Sequence, residues 1–215
     1  MKEAVLFDLD GTLLDTLGDL HSATNHTLRH FGCPERSMEE IRSFVGNGAR
    51  VQMEKSLPGR QDDPPVDQVL AFYQEYYRRV CAQGQTRPYP GISEALEQLK
   101  GKYALAIVSN KPDAAVKTLC RQYFPGIYAL GVTEDCPRKP APDMVKKTLA
   151  QLGVESCLYV GDSEVDIATA KNAGVPCLCV LWGFRDKEIL AAAGGELFCE
   201  DAQELVQCIE EHYGK

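Results

Sequence analysis

Two aspartates near the N-terminus, Asp8 and Asp10, are spaced so that they can act together chemically. They follow the apolar run 4–7, which has no helical period and is typical of a strand buried on both faces. Gly11 turns the chain directly after them. Because carboxylates at the end of a buried strand are costly to desolvate, a cation is expected beside them. The stretch therefore predicts a divalent metal next to a reactive acid.

Polar side chains also follow two later apolar runs. Ser109 and Asn110 come after the run 104–108, and Asp162 comes after the run 157–160. In a parallel sheet the carboxyl ends of the strands lie along one edge, where open α/β sheets bind ligands. Each polar group alone also fits a turn or a helix cap. Together with the first strand, the three strand ends favour a shared crevice.

Lys139 supplies a candidate cation for this crevice. It lies in the segment 138–143, where prolines stiffen the backbone just before a predicted helix. A solvated surface lysine is the alternative interpretation. The rigid backbone favours a fixed position for the ammonium group.

Strands and helices alternate along most of the chain. Besides the first strand, the apolar runs 104–108, 128–132, 157–160 and 177–181 predict strands, and the segments between them have helical spacing. This alternation predicts an α/β fold, a doubly wound parallel sheet with right-handed crossovers. The stretch 201–213 predicts a further amphipathic helix.

Residues 15–87 interrupt the alternation. They carry helical patterns only, of which 66–80 is the clearest, and a polar loop rich in proline over 57–65. A helical insertion after the first strand predicts a second body. The core is therefore expected to comprise residues 1–14 and 88–215, with 15–87 as the inserted domain.

Composition narrows the class of protein. With 44% hydrophobic and 25% charged residues, the 215-residue chain has the composition of an ordinary globular protein. Its net charge of −8 argues against nucleic-acid binding. No apolar run approaches the roughly 20 residues of a membrane span, and no signal peptide is predicted. The nine cysteines show no C-x-x-C spacing, so we expect reduced core thiols and a cytoplasmic location.

Taken together, the polar motifs resemble the four motifs of the haloacid dehalogenase-like superfamily. The helical insertion resembles the small α-helical cap of that superfamily, and the core would then be Rossmann-like. Residues 12–16 and 45–49 resemble its phosphoglycolate phosphatase branch. The matching segments, in order and spacing, are 8–13, 109–110, 139–140 and 161–166.

The resemblance implies hydrolysis of a small-molecule phosphate ester through an aspartyl-phosphate. Asp8 would be the nucleophile, and Asp10 would protonate the leaving group and later activate water. Lys139 would neutralise both Asp8 and the phosphoryl group. Ser109 and the backbone of Asn110 would bind phosphate oxygens.

The resemblance also implies a Mg²⁺ cofactor. The carboxylates of Asp8 and Asp162 and the backbone carbonyl of Asp10 would hold the ion, which prefers oxygen ligands. Asp166 would orient these ligands or a metal-bound water. Thr12 would support the loop that carries Asp10.

Substrate contacts outside these motifs are open at this stage. In the cap, Asn47 and Gly48 form either a flexible turn suited to close approach or a plain turn between helices. Arg50 would pair with a substrate carboxylate or lie on the surface, and Lys111 has the same two alternatives. Residues 182–185 would line the crevice or cover the sheet edge, and we favour the second.

Other functions use the same features. A β-phosphoglucomutase-like phosphohexomutase, a pyrophosphatase or a nucleotidase would share the core and the motif residues. A non-catalytic phosphate-binding module is expected to have lost one of the acidic residues or the lysine, all of which are present. The chain is expected to be a monomer or a homodimer.

Overall fold

The computed structural model describes residues 3–59 and 64–214. Within these residues the strands are β1 (Ala4–Phe7), β2 (Leu14–Asp15), β3 (Arg87–Pro88), β4 (Ala104–Pro112), β5 (Tyr128–Val132), β6 (Leu158–Gly161), β7 (Cys177–Val180) and β8 (Leu197–Cys199). The helices are α1 (Leu17–His30), α2 (Met38–Phe44), α3 (Ala49–Ser56), α4 (Val66–Val80), α5 (Ile92–Lys100), α6 (Asp113–Tyr123), α7 (Asp143–Leu152), α8 (Glu164–Ala173), α9 (Lys187–Ala192) and α10 (Ala202–His212). Among the described residues, no helix combines the length and the apolar character needed to cross a bilayer.

Six strands form one parallel sheet in the order β5-β4-β1-β6-β7-β8. The predicted α/β class with a parallel sheet is therefore confirmed. β1 lies between β4 and β6, and Phe7 is in register with Ile107 and with Val160. The residues that follow these three positions consequently emerge together at one edge of the sheet.

Both faces of β1 are buried, as its unbroken apolar run predicts. Val5 and Phe7 pack into a cluster that also receives side chains of α5, α6 and α10. Ala4 and Leu6 pack on the opposite face with side chains of α7 and α8. All four residues of the strand are fully inaccessible to solvent. The site-bearing strand is thus held from both sides.

The sheet contains one strand that the pattern of apolar runs in the sequence did not predict. β8 has three residues and pairs with β7 at the sheet edge, and Leu197 on it is exposed. A strand this short carries too few residues for a two-residue period to be recognised. The antiparallel ribbon of β2 and β3, two residues each, was missed for the same reason.

The chain divides into two compact units, Met1–Asp15 with Arg87–Lys215, and Thr16–Thr86. Each boundary lies one residue from the predicted one. The second unit is helical, and within it the buried carboxylate of Asp19 accepts hydrogen bonds from the backbone N–H groups of Gln85 and Thr86. Of the predicted loop 57–65, residues 60–63 lie outside the described residues.

Candidate active site

The carboxyl ends of the three central strands place polar groups side by side. Asp8 directly follows β1, and its N–H continues the sheet by donating to the carbonyl of Val160 at 2.8 Å. Ser109 lies near the end of β4, and Asp162 directly follows β6. All three polar side chains are buried. The shared crevice that the strand ends predict corresponds to this edge.

Three carboxylates converge there. Asp8, Asp162 and Asp166 each place an oxygen within 4.8 Å of the others, and all three residues are buried. Lys139 Nζ lies 2.8 Å from Asp8 Oδ1 and 2.7 Å from Asp166 Oδ1. One ammonium group opposite three carboxylates leaves an excess of negative charge in a place that water hardly reaches.

Burial and mutual repulsion raise the proton affinity of Asp8 and Asp162. Burial raises the pKa of Asp8 to about 7, against the opposing attraction of Lys139. Burial and the charges of Asp166 and Asp8 raise the pKa of Asp162 well above its usual range. Burial alone would lower the pKa of Lys139, but the charges of Asp166 and Asp8 raise it well above the ordinary value. The lysine is therefore charged, and the carboxylates favour a further cation or a proton.

The donor atoms of this cluster fit a hard divalent cation. They are all carboxylate oxygens, which Mg²⁺ prefers over nitrogen and sulfur. Among the described residues, Asp10 Oδ1 is also buried without a hydrogen-bond donor. A bound cation would offset the charge that the single lysine leaves uncompensated.

Lys139 is fixed by partners that sequence reasoning did not identify. Its Nζ donates to the hydroxyl of Tyr159 on β6 at 3.0 Å. The side chain of Asn110 accepts from the N–H of Lys139 at 2.8 Å and donates to its carbonyl at 2.9 Å. The sequence did contain one signal for the contact with Tyr159: a tyrosine within a buried apolar run, whose hydroxyl needs a polar partner.

Asp166 is held in the first turn of α8. Its Oδ2 accepts hydrogen bonds from Ser163 Oγ at 2.6 Å and from the Ser163 N–H at 3.1 Å. Its Oδ1 binds Lys139. A Cβ on Gly161 would lie 2.3 Å from the Cβ of Asp166, so the end of β6 approaches the Asp166 side chain closely. Asp166 thus positions the lysine. That it also orients metal ligands or a metal-bound water, as the resemblance implies, stays a prediction.

The loop after β7 contacts Asp162 directly. The N–H of Phe184 donates to Asp162 Oδ2 at 2.8 Å, and Thr12 Oγ1 donates to Asp162 Oδ1 at 3.2 Å. Trp182 Nε1 in turn donates to the carbonyl of Thr12 at 3.0 Å. We expected this loop to cover the sheet edge, but it also orients a candidate metal ligand.

Asp10 has its own cation. Lys111 Nζ lies 3.0 Å from Asp10 Oδ2, and Lys111 is only 6% exposed. Directly after the two aspartates of the first motif, Gly11 adopts a φ of +85°. A Cβ on Gly11 would lie 2.3 Å from Asp162 Oδ2, so this turn has room for glycine only.

Two of the remaining candidates, Arg50 and Arg185, have charged partners of their own. In the helical unit, Arg50 pairs with Asp67 and Glu54, and Asn47 and Gly48 lie between α2 and α3. In the other unit, Arg185 is buried and its Nε donates to Glu164 Oε2 at 2.9 Å.

Comparison with known proteins assigns the family. Residues 5–180 match the haloacid dehalogenase-like hydrolase family. Phosphoglycolate phosphatase 1 of Pseudomonas aeruginosa is 31% identical over an alignment of 222 positions that covers 98% of this chain and 81% of that protein. Phosphoglycolate phosphatase of Mesorhizobium japonicum is 35% identical, with 87% of this chain and 86% of that protein covered. The chain belongs to the haloacid dehalogenase-like hydrolase family, and its similarity to the phosphoglycolate phosphatases confirms the predicted branch.

Solved structures agree with this assignment. A crystal structure of a candidate phosphoglycolate phosphatase from Lactobacillus delbrueckii subsp. bulgaricus has a TM-score of 0.87 at 37% identity, with 97% of this chain and 99% of that chain covered. CbbY from Rhodobacter sphaeroides, in complex with phosphate, has a TM-score of 0.78 at 26% identity, with 95% of this chain and 96% of that chain covered.

Proposed function

We propose that this hydrolase cleaves 2-phosphoglycolate by forming an aspartyl-phosphate on Asp8 in the presence of Mg²⁺. The observation that carries the proposal is the convergence of Asp8, Lys139 and Asp162 at one edge of the sheet. The substrate is proposed from the similarity to phosphoglycolate phosphatases of two organisms.

The cation would be held by the carboxylates of Asp8 and Asp162 and by the backbone carbonyl of Asp10. When bound, Mg²⁺ supplies the positive charge that offsets repulsion between an anionic nucleophile and an anionic phosphate. The contacts of Asp162 with Thr12 and Phe184 orient this ligand before the ion arrives.

In the first step a carboxylate oxygen of Asp8 attacks phosphorus while the bond from phosphorus to the ester oxygen breaks. Asp10 gives its proton to that oxygen, so glycolate leaves as the alcohol. Ser109 Oγ and the N–H of Asn110 bind phosphate oxygens. Lys139, held by Asp166 and Asp8, keeps Asp8 ionised for the attack.

In the second step water attacks the phosphorus of the aspartyl-phosphate. Asp10, now ionised, takes the proton of this water, and the bond between phosphorus and Asp8 breaks. The products are inorganic phosphate and the free carboxylate of Asp8. Protons balance over the two steps, because Asp10 ends in the form in which it began.

Substrate selection by the helical unit is part of the same proposal. Residues 15–87 would act as a cap domain that excludes water and reads the leaving group. Asn47, Gly48 and Arg50 are its candidate contacts. A cytoplasmic location likewise stays a prediction.

A phosphate-release screen tests the proposal. It compares 2-phosphoglycolate with pyrophosphate, sugar phosphates and nucleotides, each with Mg²⁺ and with a chelator. We expect Mg²⁺-dependent release with the highest kcat/KM for 2-phosphoglycolate. The screen is repeated with the variant Asp8→Asn. Its matched control is Asp135→Asn, since Asp135 is exposed and pairs with Lys147. Higher kcat/KM for pyrophosphate, a nucleotide or a sugar phosphate would contradict the substrate assignment.

A further inference from the structure

The loop 181–186 returns to Asp162 although the sheet does not direct it there. Strands β6 and β7 are in register up to the pair Gly161 and Cys179. Asp162 follows Gly161 directly, but Phe184, whose N–H donates to Asp162 Oδ2 at 2.8 Å, comes five positions after Cys179. The chain therefore leaves the sheet for several residues before this contact. Strand pairing alone does not fix where the loop ends.

Arg185, the residue after Phe184, ties the end of this loop to α8. Its Nε donates to Glu164 Oε2 at 2.9 Å, and its Nη2 donates to Glu164 Oε1 at 3.5 Å. Two donors of one planar guanidinium on the two oxygens of one carboxylate fix orientation as well as distance. Glu164 is the first residue of α8, two positions after Asp162. The hydrogen bond of Phe184 and the ion pair of Arg185 thus join the same two segments side by side.

Burial distinguishes this ion pair from those on the surface. Only 8% of the Arg185 side chain is exposed, against 40% of the Glu164 side chain. Exposed pairs contribute little because water and salt screen them. A guanidinium withdrawn from water, in contrast, loses free energy when its carboxylate partner moves away. Movement of the loop away from α8 is therefore opposed by a buried charge.

The loop is also held at its other end. Trp182 Nε1 donates to the carbonyl of Thr12 at 3.0 Å. The N–H of Phe184 consequently lies between two attachments, one to the turn of the first motif and one to α8. A donor fixed from both sides can orient a carboxylate before an ion binds to it.

We propose that Arg185 and Glu164 form a positioning pair that holds the Phe184 N–H on Asp162 and thereby raises the affinity of the site for Mg²⁺. Neither side chain is among the proposed ligands of the ion. The inference rests on the proposed function, in which Asp162 binds the cation, and deepens it by assigning a role to two residues that the reaction steps do not use.

The charge of Arg185 by itself would have the opposite effect. A guanidinium close to a metal site repels a divalent cation, so its removal would raise Mg²⁺ affinity if Arg185 acted only through its charge. If Arg185 holds the loop, its removal releases the Phe184 N–H and lowers the affinity. The direction of the change in Arg185→Met therefore separates positioning from electrostatic repulsion.

The test measures Mg²⁺ affinity by calorimetry in the absence of substrate. The variants are Arg185→Met, Arg185→Lys, Glu164→Gln and the double variant Arg185→Met/Glu164→Gln. The matched control is Arg78→Met, because Arg78 also pairs with a glutamate through two donors, but the pair with Glu75 is exposed. Each titration is run well below the melting temperature of that protein, so that unfolding does not contribute.

Arg185→Met should weaken Mg²⁺ binding about tenfold. This is the lower end of the usual loss for groups that orient a metal ligand, because Arg185 acts through Phe184. Arg185→Lys should retain a larger part of the affinity, since lysine keeps the charge but not the planar fork. The double variant should bind Mg²⁺ no more weakly than the weaker-binding single variant, because one pair can be lost only once. Arg78→Met should bind Mg²⁺ like the wild type.

Unchanged or higher affinity in Arg185→Met would overturn the proposal, and so would losses that multiply in the double variant. If Arg185→Met does not fold, Arg185→Lys decides, and wild-type affinity in that variant would overturn the proposal. The wild-type protein tests the proposed function separately. Absence of Mg²⁺ binding there would refute the metal site and the pair with it, whereas wild-type affinity in Arg185→Met would refute only the pair.

Discussion

Gly183→Ala should disable the site although Gly183 has no side chain to lose. Gly183 lies between Trp182 and Phe184 in the loop that contacts Asp162. Its φ is outside the left-handed region, so alanine meets no backbone penalty there. The obstacle that the structure shows is the space that a methyl group requires.

The structure gives the size of that obstacle. A Cβ at position 183 would lie 2.3 Å from the Cβ of Asp162 and 2.6 Å from the carbonyl oxygen of Gly11. The first distance is more than 1 Å short of the 3.4 Å at which ordinary contact begins. Either the loop or Asp162 must move by about that amount, and the hydrogen bond from Phe184 to Asp162 moves with it.

Displacement by about 1 Å at a reacting centre can lower the rate about 10²-fold. Disturbing the groups that orient a metal ligand typically weakens metal binding about 10- to 100-fold. We therefore expect Gly183→Ala to lower kcat/KM about 10²-fold and to raise the Mg²⁺ concentration needed for half-maximal activity. Overpacking should also lower the free energy of unfolding by about 1–3 kcal/mol.

Phosphate release over a Mg²⁺ titration, together with thermal unfolding, measures both effects. Gly101→Ala is the matched control, because its Cβ would have nothing within 4 Å and its φ of −72° suits alanine. Wild-type kcat/KM and Mg²⁺ dependence in Gly183→Ala would refute the argument that this loop orients Asp162.

Four further predictions concern the charged groups. Asp8→Asn should abolish turnover, and Asp10→Asn should lower kcat about 10²-fold or more, as measured by phosphate release. Because the metal-free pKa of Asp8 is raised to about 7, protons compete with the cation below that pH. Mg²⁺ affinity, measured by calorimetry, should therefore fall by at least about tenfold per pH unit below 7. Lys139→Met should leave Asp8 and Asp166 buried without their cation and cost about 3–5 kcal/mol of stability, as measured by denaturant unfolding.

Each of these has an outcome that would count against it. Full activity in Asp8→Asn would exclude Asp8 as the nucleophile, and full activity in Asp10→Asn would exclude Asp10 as the general acid. A Mg²⁺ affinity that does not change between pH 5 and 7 would show that no proton is displaced from the cluster. For Lys139→Met the control is Lys147→Met at an exposed ion pair, which should have no measurable effect on stability. Equal stability of the two variants would contradict the buried ion-pair assignment.

Much of the fold could be predicted because its signals are local. The run before Asp8 reads as a doubly buried strand, and both of its faces are indeed covered. The parallel order of the sheet then brings Asp8, Ser109 and Asp162 to one edge whatever the details of packing. Elements of two or three residues, such as β8, have no recognisable period and were not predicted.

Partners remote in sequence needed the tertiary structure. Trp182 reaches Thr12 across 170 positions, and Tyr159 reaches Lys139 from another strand. No spacing rule links such pairs, because which side chains meet depends on how helices and loops pack over the sheet edge.

By itself, the sequence of this protein determined the type of sheet, its polar edge and the acids and lysine that chemistry requires there. Only the tertiary structure decided that Lys139 is shared between Asp8 and Asp166 and that Lys111 contacts Asp10. The physical reason is that strand and turn preferences act over a few neighbouring residues. The energy of a buried charge, in contrast, depends on every group that packing places within a few ångströms.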